Sequence, residues 1–274
     1  MIVFPHAKIN LGLNVVRKRP DGFHDVETVM MPVPWHDVLE VLLDRSLRPG
    51  EVVFSRTGLE VTGPVQDDLC WRAAALFGEV CPLPGIRLHL HKNIPMGAGL
   101  GGGSSDAAHV LMLLDQLCDA PLGHAELARM AGQLGSDCPF FLRHEVQVAR
   151  SRGEILSPFK VDLKGLHLLV VVPPIHVSTA TAYGTCRPSG GSIDLPELLA
   201  TLPRHQWISR IPNTLEENVM SLHPRIAGIK EELLKEGAFH AAMSGSGAAV
   251  YGLFENEPAR RAWPTDHRIG RFHL

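Results

Sequence analysis

The chain has 274 residues, which is longer than a typical single domain but leaves little room for more than two. A hydrophobic fraction of 45% with 20% charged residues is ordinary for a globular protein with a sizeable core, so disorder is not the default expectation. The formal net charge of −3 creates no strong positive field, which argues against a protein that mainly binds nucleic acid.

Strand and helix patterns follow one another through the first half of the chain. In chain order we expect a strand at 2–16, strands at 26–34 and 38–43, a helix at 67–80, a strand at 86–91, and helices at 106–117 and 125–134. The first strand is expected to break at Pro5 and Gly12. Ser104 or Ser105 is expected to cap the helix at 106–117, because serine side chains accept hydrogen bonds from the first turn.

The second half contains fewer strands. We expect strands at 166–172 and 248–254, and helices at 195–202, 214–219 and 225–236. Strands and helices do not alternate strictly as βαβ units, so the predicted fold class is α+β rather than a doubly wound sheet. We expect two domains, 1–150 and 151–274, with the boundary near Arg150.

A glycine-rich loop between a predicted strand and a predicted helix is the central feature. Five glycines in the seven positions 97–103 let the backbone turn inward, so that successive N–H groups can converge on phosphate oxygens. The following helix adds its positive N-terminal end, and either serine can donate to phosphate or help to hold Mg²⁺. A flexible connection is the alternative, but the order of strand, proline, glycines, serines and helix favours phosphate binding. The candidate phosphate-binding residues are Pro95, Met96, Gly97, Ala98, Gly99, Leu100, Gly101, Gly102, Gly103, Ser104 and Ser105.

This loop resembles the motif P-x-x-x-G-L-G-S-S-A of the kinase family that includes galactokinase, homoserine kinase, mevalonate kinase and phosphomevalonate kinase. The longer form in this chain, with Gly102 and Gly103 before the serines, resembles a member whose substrate carries a cytidine diphosphate moiety. The resemblance implies a two-domain α+β fold with the active cleft between the domains and the nucleotide loop in the N-terminal domain. It also implies phosphoryl transfer from ATP, assisted by Mg²⁺, to a hydroxyl of a small molecule.

Two further segments supply candidate catalytic residues. Residues 7–11, A-K-I-N-L, fit the first motif of the same member, in which Lys8 is catalytic and Asn10 binds substrate. An ammonium group can offset the charge on a transferring phosphoryl group, although a lysine met alone is usually solvated. Residues 134–141, L-G-S-D-C-P-F-F, place Asp137 on the family's catalytic aspartate, which can take or orient the hydroxyl proton. The alternative is a helix end followed by a turn.

Two segments resemble the substrate site. Residues 20–24, P-D-G-F-H, resemble P-D-G-Y-H, with Phe23 in place of tyrosine. A ring at this position can stack on a base and the imidazole of His24 can bond a base edge, but a contact through a phenol hydroxyl is lost. A turn with one packed ring and one exposed histidine is the alternative. Residues 177–183 resemble the segment in which Thr179 binds substrate and Tyr183 is the second aromatic side chain at the cytidine.

A second glycine-rich segment resembles the third family motif, which closes over the phosphates. Its residues are Ser244, Gly245, Ser246 and Gly247. Residues 213–218, N-T-L-E-E-N, match another family stretch, to which we assign a structural role.

Two other functions stay open. A sister kinase for homoserine, mevalonate or a sugar would share the loops, but it has no reason to carry residues 20–24 as a cytidine site. A non-catalytic ligand sensor on the same fold could bind ATP, since a fold does not fix function. The presence of both Lys8 and Asp137 counts against the sensor.

Location and partners are inferred from composition. The five cysteines are odd in number and lack C-x-x-C spacing, which favours reduced thiols in a cytoplasmic protein. The first residues do not resemble a signal peptide, and no stretch reaches the roughly 18 apolar residues of a membrane span. We therefore expect neither a membrane nor a nucleic-acid partner, and either a monomer or a homodimer.

Overall fold

The computed structural model describes residues 1–118 and 122–274. The chain divides into two units, each assembled from separate stretches. The first unit comprises Met1–Ala7, Pro34–Met96 and Gly101–His144, and the second comprises Lys8–Val33, Gly97–Leu100 and Glu145–Leu274. The units therefore interleave along the chain, whereas the family-domain boundary expected near Arg150 stays a prediction.

Strands and helices in the described residues have the following bounds. The strands are β1 (Ile2–Val3), β2 (His6–Lys18), β3 (His24–His36), β4 (Val38–Leu43), β5 (Val52–Gly58), β6 (Ile86–Lys92), β7 (Gln147–Ser151), β8 (Ile155–Pro158), β9 (His167–Val172), β10 (His240–Met243), β11 (Val250–Phe254) and β12 (Arg268–His273). The helices are α1 (Leu69–Val80), α2 (Gly102–Leu117), α3 (Gly123–Leu134), α4 (Thr179–Thr185), α5 (Leu195–Thr201), α6 (Trp207–Arg210), α7 (Glu216–Leu222) and α8 (Pro224–Lys235).

The first unit is built on a four-stranded sheet in the order β1-β4-β6-β5. β6 pairs antiparallel with β4 and parallel with β5. Ile86, Leu88 and Leu90 are buried on one face of β6, because successive side chains of a strand point to opposite faces. The same alternation puts Lys92 on that buried face. Apolar side chains of α1, α2 and α3 join this face in one hydrophobic cluster.

His6 lies inside a cluster of rings in the first unit. The centre of its ring is 4.5 Å from that of His144, 5.9 Å from that of His109 and 5.2 Å from that of Phe141. Nδ1 donates to the carbonyl of Ala7 at 2.8 Å, while Nε2 has no partner among the described residues. Burial lowers the pKa of His6 to about 4, so the ring is neutral near pH 7.

The second unit holds two four-stranded sheets, with the orders β2-β3-β7-β8 and β10-β11-β9-β12. β9 lies inside its sheet, paired antiparallel with β11 and β12, and its residues from Leu168 to Val172 are all buried. A continuous apolar run suits a strand that is covered on both faces. Leu169 and Val171 pack in one cluster with Ile226 and Leu233 of α8.

β2 continues through Gly12, where the sequence led us to expect a break. Gly12 has a φ of +82°, and a Cβ there would meet the side chain of Ile211 at 2.8 Å. Glycine at this position therefore avoids both the strain of a positive φ and a steric clash with Ile211. One residue further on, the N–H of Leu13 donates to the carbonyl of Pro212 at 2.7 Å and its carbonyl accepts from Thr214 at 2.9 Å. These bonds satisfy backbone groups at the edge of the sheet that β2 would otherwise leave unpaired.

The two-domain α+β class expected from the sequence is confirmed. Five strands were not predicted, namely β5, β7, β8, β10 and β12, and β7, β8 and β10 have five residues or fewer. None of the helices within 1–118 and 122–274 is long and apolar enough to cross a membrane.

Candidate active site

Lys8 and Asn10 project from β2 in the second unit, and each is only 4% exposed. Nζ of Lys8 donates to Oδ1 of Asn10 at 2.7 Å, and Nδ2 of Asn10 donates to the hydroxyl of Thr28 at 2.9 Å. The Thr28 hydroxyl donates in turn to the carbonyl of Gly12 at 2.6 Å. Because the amide oxygen of Asn10 must face the ammonium, this chain of bonds fixes the direction of the Lys8 side chain.

A buried histidine and tyrosine support the backbone of Asn10. The hydroxyl of Tyr251 donates to the carbonyl of Asn10 at 2.9 Å and lies 3.2 Å from Nε2 of His240. Since the hydroxyl proton is already used, Nε2 of His240 is the donor in the second bond. Burial raises the pKa of Tyr251 and lowers that of His240 to about 3, so both side chains are neutral.

The stretch Gly97–Leu100 of the glycine-rich loop also belongs to the second unit. Gly99 has a φ of +76°, and a Cβ there would lie 1.9 Å from the carbonyl oxygen of Ser244. The Ser244 hydroxyl donates to the carbonyl of Gly99 at 2.9 Å. The N–H of Lys8 donates to the carbonyl of Leu100 at 2.9 Å. The first and third motifs therefore both hold this loop, and only glycine permits the approach to Ser244.

In the first unit, α2 begins at Gly102 rather than at Asp106. Its N-cap is Gly101, with a φ of +71° and no capping side chain. The expected cap at Ser104 or Ser105 is wrong, because both serines already lie inside the first turn, and the N–H of Ser105 donates to the carbonyl of Gly101 at 2.9 Å. Among the described residues, no side chain caps the first turn of α2, which leaves its first N–H groups available to an anion.

Lys92 is buried between two carboxylates in the first unit, close to the start of α2. Nζ donates to Asp37 and, at 2.8 Å, to Asp106, and a Cβ at Gly102 would lie 2.9 Å from it. Burial opposes the charge of Lys92, but attraction to Asp106 and Asp37 outweighs it and raises the Lys92 pKa. Burial raises the pKa of Asp106 to about 8. Burial therefore disfavours the charged form of Asp106, although its carboxylate lies beside the ammonium of Lys92.

Lys92 and Asp106 also line a cleft of about 180 Å³ in the first unit. Apolar and charged side chains share its walls, which include Arg56, Asp68, Leu69, Leu90, Met96 and Gly103. The sequence-based site did not include Lys92 or Asp106. The available signal was the alternation along β6, which places a lysine on the apolar face of a strand.

Asp137 lies in the first unit, immediately after α3. α3 ends at Leu134 with Gly135 as its C-cap, and a short 3₁₀ helix, Cys138–Leu142, begins just after Asp137. The carbonyl of Asp137 accepts from the N–H of Phe140 at 3.2 Å, so its backbone forms the first turn. The expected helix end at Gly135 is confirmed, while the side chain of Asp137 is only partly buried. Its proposed partner in catalysis, Lys8, belongs to the second unit.

Aromatic side chains gather at the start of β3 in the second unit. The ring centres of His24 and Tyr183 are 5.2 Å apart, with 35° between the planes. Burial, together with nearby Lys18, lowers the pKa of His24, so its imidazole is neutral near pH 7. Phe23 is 50% exposed, and the guanidinium carbon of Arg152 lies 4.3 Å from the centre of its ring. His24 and Tyr183 are therefore in contact, whereas the ring of Phe23 is half exposed and contacts Arg152.

The third motif forms a tight turn between β10 and β11. The N–H of Gly247 donates to the carbonyl of Ser244 at 3.0 Å. Nδ2 of Asn213 donates to the carbonyls of Met243 and Gly245, at 2.8 and 2.9 Å. A side chain outside the predicted site therefore fixes the course of this turn.

The same turn lies beside the first motif, residues 7–11, and beside the segment 177–183. A Cβ at Gly245 would lie 3.1 Å from Oδ1 of Asn10 and 3.4 Å from Nζ of Lys8. The hydroxyls of Thr179 and Ser246 lie 3.3 Å apart. The second unit thus brings together residues that are more than 160 positions apart in the sequence.

No group of three or more His, Cys, Asp or Glu side chains in the part of the chain that the structure describes is arranged to hold a metal ion. Mg²⁺ usually takes one or two protein oxygens and fills its remaining positions with water and substrate phosphates. Ser104, half-buried in the first turn of α2, and the carboxylate of Asp137 are oxygen ligands of this kind. Ser105 is fully buried. The residues present therefore fit a magnesium ion that arrives with a nucleotide.

Two family models match the chain. The model described as GHMP kinases N terminal domain matches residues 68–145, and the model described as GHMP kinases C terminal matches residues 191–265. The chain belongs to the GHMP kinase family. This confirms the resemblance that the glycine-rich loop indicated.

Individual proteins that resemble this chain narrow the comparison within the family. The chain is 43% identical to the 4-diphosphocytidyl-2-C-methyl-D-erythritol kinase of Azobacteroides pseudotrichonymphae, over 93% of this chain and 94% of the relative. It is also 43% identical to the kinase of the same name from Parabacteroides distasonis, over 93% and 92%. A crystal structure of 4-(cytidine 5'-diphospho)-2C-methyl-D-erythritol kinase aligns with a TM-score of 0.78 and 34% identity, covering 94% of this chain and 91% of that one. Homoserine kinase from Cytophaga hutchinsonii, at 17% identity and a TM-score of 0.69, shares the fold.

Proposed function

We propose that this chain is an ATP-dependent kinase that transfers the γ-phosphoryl group of ATP to the 2-hydroxyl of 4-diphosphocytidyl-2-C-methyl-D-erythritol. This reaction belongs to the non-mevalonate route to isoprenoid precursors. The observation that carries the proposal is the 43% identity, over 93% of the chain, to two kinases named for this substrate. The contacts around the glycine-rich loop and the aromatic rings support it.

The phosphates of ATP bind at the glycine-rich loop, residues 95–105. Support comes from the positive φ angles of Gly97, Gly99 and Gly101, which turn the backbone in a way that side chains would block. The uncapped start of α2 adds free N–H groups and the positive end of a helix dipole. The cleft beside Gly103 combines apolar side chains with charged and polar ones, and a nucleotide base can contact both kinds.

Asp137 accepts or orients the proton of the acceptor hydroxyl, and Lys8 offsets the negative charge on the transferred phosphoryl group. The support for Lys8 is its fixed direction, because Asn10 aims the ammonium before any substrate arrives. Asp137 is supported by its motif and by its partly exposed side chain. Mg²⁺, held by the nucleotide phosphates and by Ser104, would neutralise charge on the phosphate oxygens.

The cytosine of the second substrate lies among Phe23, His24 and Tyr183, while Asn10 and Thr179 bind the remainder of that substrate. The contact between His24 and Tyr183 supports a base site, since the two rings already share one location. A neutral imidazole can donate through one nitrogen and accept through the other, as a base edge requires.

We extend the proposal to location and assembly. The chain works in the cytoplasm as a monomer or a homodimer, without a nucleic-acid or membrane partner. The net charge of −3 supports the absence of nucleic acid.

Release of ADP tests the reaction. Purified protein would receive ATP and Mg²⁺ together with one acceptor at a time: the cytidyl substrate, mevalonate, homoserine or galactose. We expect the largest kcat/KM with the cytidyl substrate and none without a divalent ion. Faster turnover of another acceptor would assign the chain to a sister kinase, and ATP binding without transfer to any acceptor would favour the ligand sensor.

A further inference from the structure

The turn between β7 and β8 contains a strained residue that is held by side chains. Ser151 has a φ of +63° and is the one non-glycine residue with a positive φ in the described part of the chain. Its hydroxyl accepts from Arg19 at 3.2 Å and donates to Glu154 at 3.1 Å. The N–H of Arg152 donates to Glu154 at 2.7 Å. Backbone strain persists only where surrounding contacts impose it, and it often accompanies a functional role.

Arg19 ties this turn to the one that carries Phe23. The guanidinium of Arg19 pairs with Asp21 at 2.9 Å, and the N–H of Phe23 donates to Asp21 at 3.1 Å. The N–H of Arg19 also donates to the carbonyl of Phe23 at 2.8 Å. Arg19 bonds Ser151 at the same time, so the backbones of Phe23 and Arg152 are fixed relative to each other.

The guanidinium group of Arg152 contacts the aromatic ring of Phe23 and does not pair with a carboxylate among the described residues. Its guanidinium carbon lies 4.3 Å from the centre of the Phe23 ring, a distance at which a cation is attracted to the face of the ring. Arg152 forms no ion pair within the described residues, and its Nε is buried without a partner there. The strained turn therefore delivers a planar cation to the ring of Phe23, where its charge also interacts with the carboxylate of Asp21.

We infer that Arg152 is a positioning residue for the base of a pyrimidine nucleoside diphosphate, acting through Phe23. The inference rests on the proposed function in one respect, namely that the base stacks on Phe23. A guanidinium on part of the ring surface restrains the ring and leaves the exposed half open for a base.

The identity of residue 23 supports this role. The related motif has tyrosine here, whose hydroxyl offers a further anchoring contact. Phenylalanine has no hydroxyl, so nothing on its own side chain can fix the ring by hydrogen bonding. In this chain Arg152 provides that restraint from the neighbouring turn.

Binding and kinetics of Arg152 variants in the full chain test the inference. Arg152→Met keeps an unbranched side chain but removes the positive charge. Arg152→Lys keeps the positive charge but lacks the planar guanidinium group. We expect Arg152→Met to raise both the KM for the cytidyl substrate and the calorimetric Kd for CDP about three- to tenfold, with Arg152→Lys in between. kcat, the KM for ATP and the melting temperature stay at the parent values. Arg268→Met, an exposed arginine in β12, is the matched control and behaves as the parent does.

A double-mutant cycle with Phe23→Leu tests whether Arg152 acts through the ring. If it does, the double variant binds CDP about as weakly as Phe23→Leu alone, because the two losses overlap. Losses that multiply, or an unchanged Kd for CDP in Arg152→Met, would overturn the inference. A parent protein that neither phosphorylates the cytidyl substrate nor binds CDP defeats the proposed function as well. If the parent protein phosphorylates the cytidyl substrate and binds CDP, but Arg152→Met has the parent Kd for CDP, only the role of Arg152 is refuted.

Discussion

Replacing Gly99 by alanine tests how far the glycine-rich loop depends on its contact with the third motif. A left-handed alanine costs roughly 1 kcal/mol relative to glycine. The new Cβ would start 1.9 Å from the carbonyl oxygen of Ser244, whereas real contacts stay beyond about 3.0 Å, so one segment must move by about 1 Å. That movement breaks the bond from the Ser244 hydroxyl to the carbonyl of Gly99, which contributes about 1 kcal/mol. We expect the free energy of unfolding to fall by about 2–3 kcal/mol.

Gly165→Ala is the matched control for this change. Gly165 has a φ of +79°, close to the +76° of Gly99, but a Cβ there would meet nothing within 4 Å. It should therefore show the backbone cost alone, about 1 kcal/mol, and keep the KM for ATP. Because Gly99→Ala displaces a segment that we propose binds the phosphates of ATP, we expect its KM for ATP to rise about tenfold or more. Urea unfolding and ATP titration of both variants make the comparison. Equal stability losses with an unchanged KM for ATP would refute the reasoning.

Asp137→Asn and Lys8→Ala should each lower single-turnover phosphoryl transfer by about 10²- to 10⁴-fold while both substrates still bind. An Asp137→Asn protein that melts lower but keeps the parent rate would instead make Asp137 a turn residue. Tyr251→Phe leaves the buried carbonyl of Asn10 without its partner, so we expect the free energy of unfolding to fall by about 1–3 kcal/mol in urea titrations. An unchanged unfolding midpoint would show that the bond contributes nothing. Finally, His6 binds a proton near pH 6.5 when unfolded but near pH 4 when folded, so stability is full above pH 6.5 and should fall by up to about 3 kcal/mol between pH 6.5 and 4. His6→Gln should flatten that fall, and an identical slope in the variant would exclude His6 as its source.

Local periodicity accounts for most of the helices and for the longer strands of the fold. The expected strand at 38–43 coincides with β4, and the apolar run at 166–172 differs from β9 by one residue. β7 and β8 were missed because they have only five and four residues, and β8 contains only two apolar residues, Ile155 and Leu156. β7 pairs with the distant β3, which no local window contains, and β8 pairs with β7.

The motifs located the candidate site along the chain, but not its internal contacts. Gly99 was expected to approach a phosphate, yet its nearest steric limit is the carbonyl of Ser244, 145 positions away. The bond from Tyr251 to Asn10 spans 241 positions. Serine after glycine suggested a helix cap, whereas the left-handed Gly101 is the N-cap, so that α2 begins four residues before the expected start and has no capping side chain. These contacts depend on tertiary packing, which overrides local preference.

The interleaving of the two units also sets an order for synthesis. All residues of the first unit have been made once the ribosome passes His144, whereas Lys8–Val33 in the second unit must wait for Glu145–Leu274. During that interval β3 lacks its neighbour β7, so an unpaired strand edge is exposed to other chains. A nascent chain stalled after His144 would therefore hold every residue that lines the cleft at Lys92 and Asp106. The strand that carries Lys8 would still be without its supporting partners, Tyr251 among them.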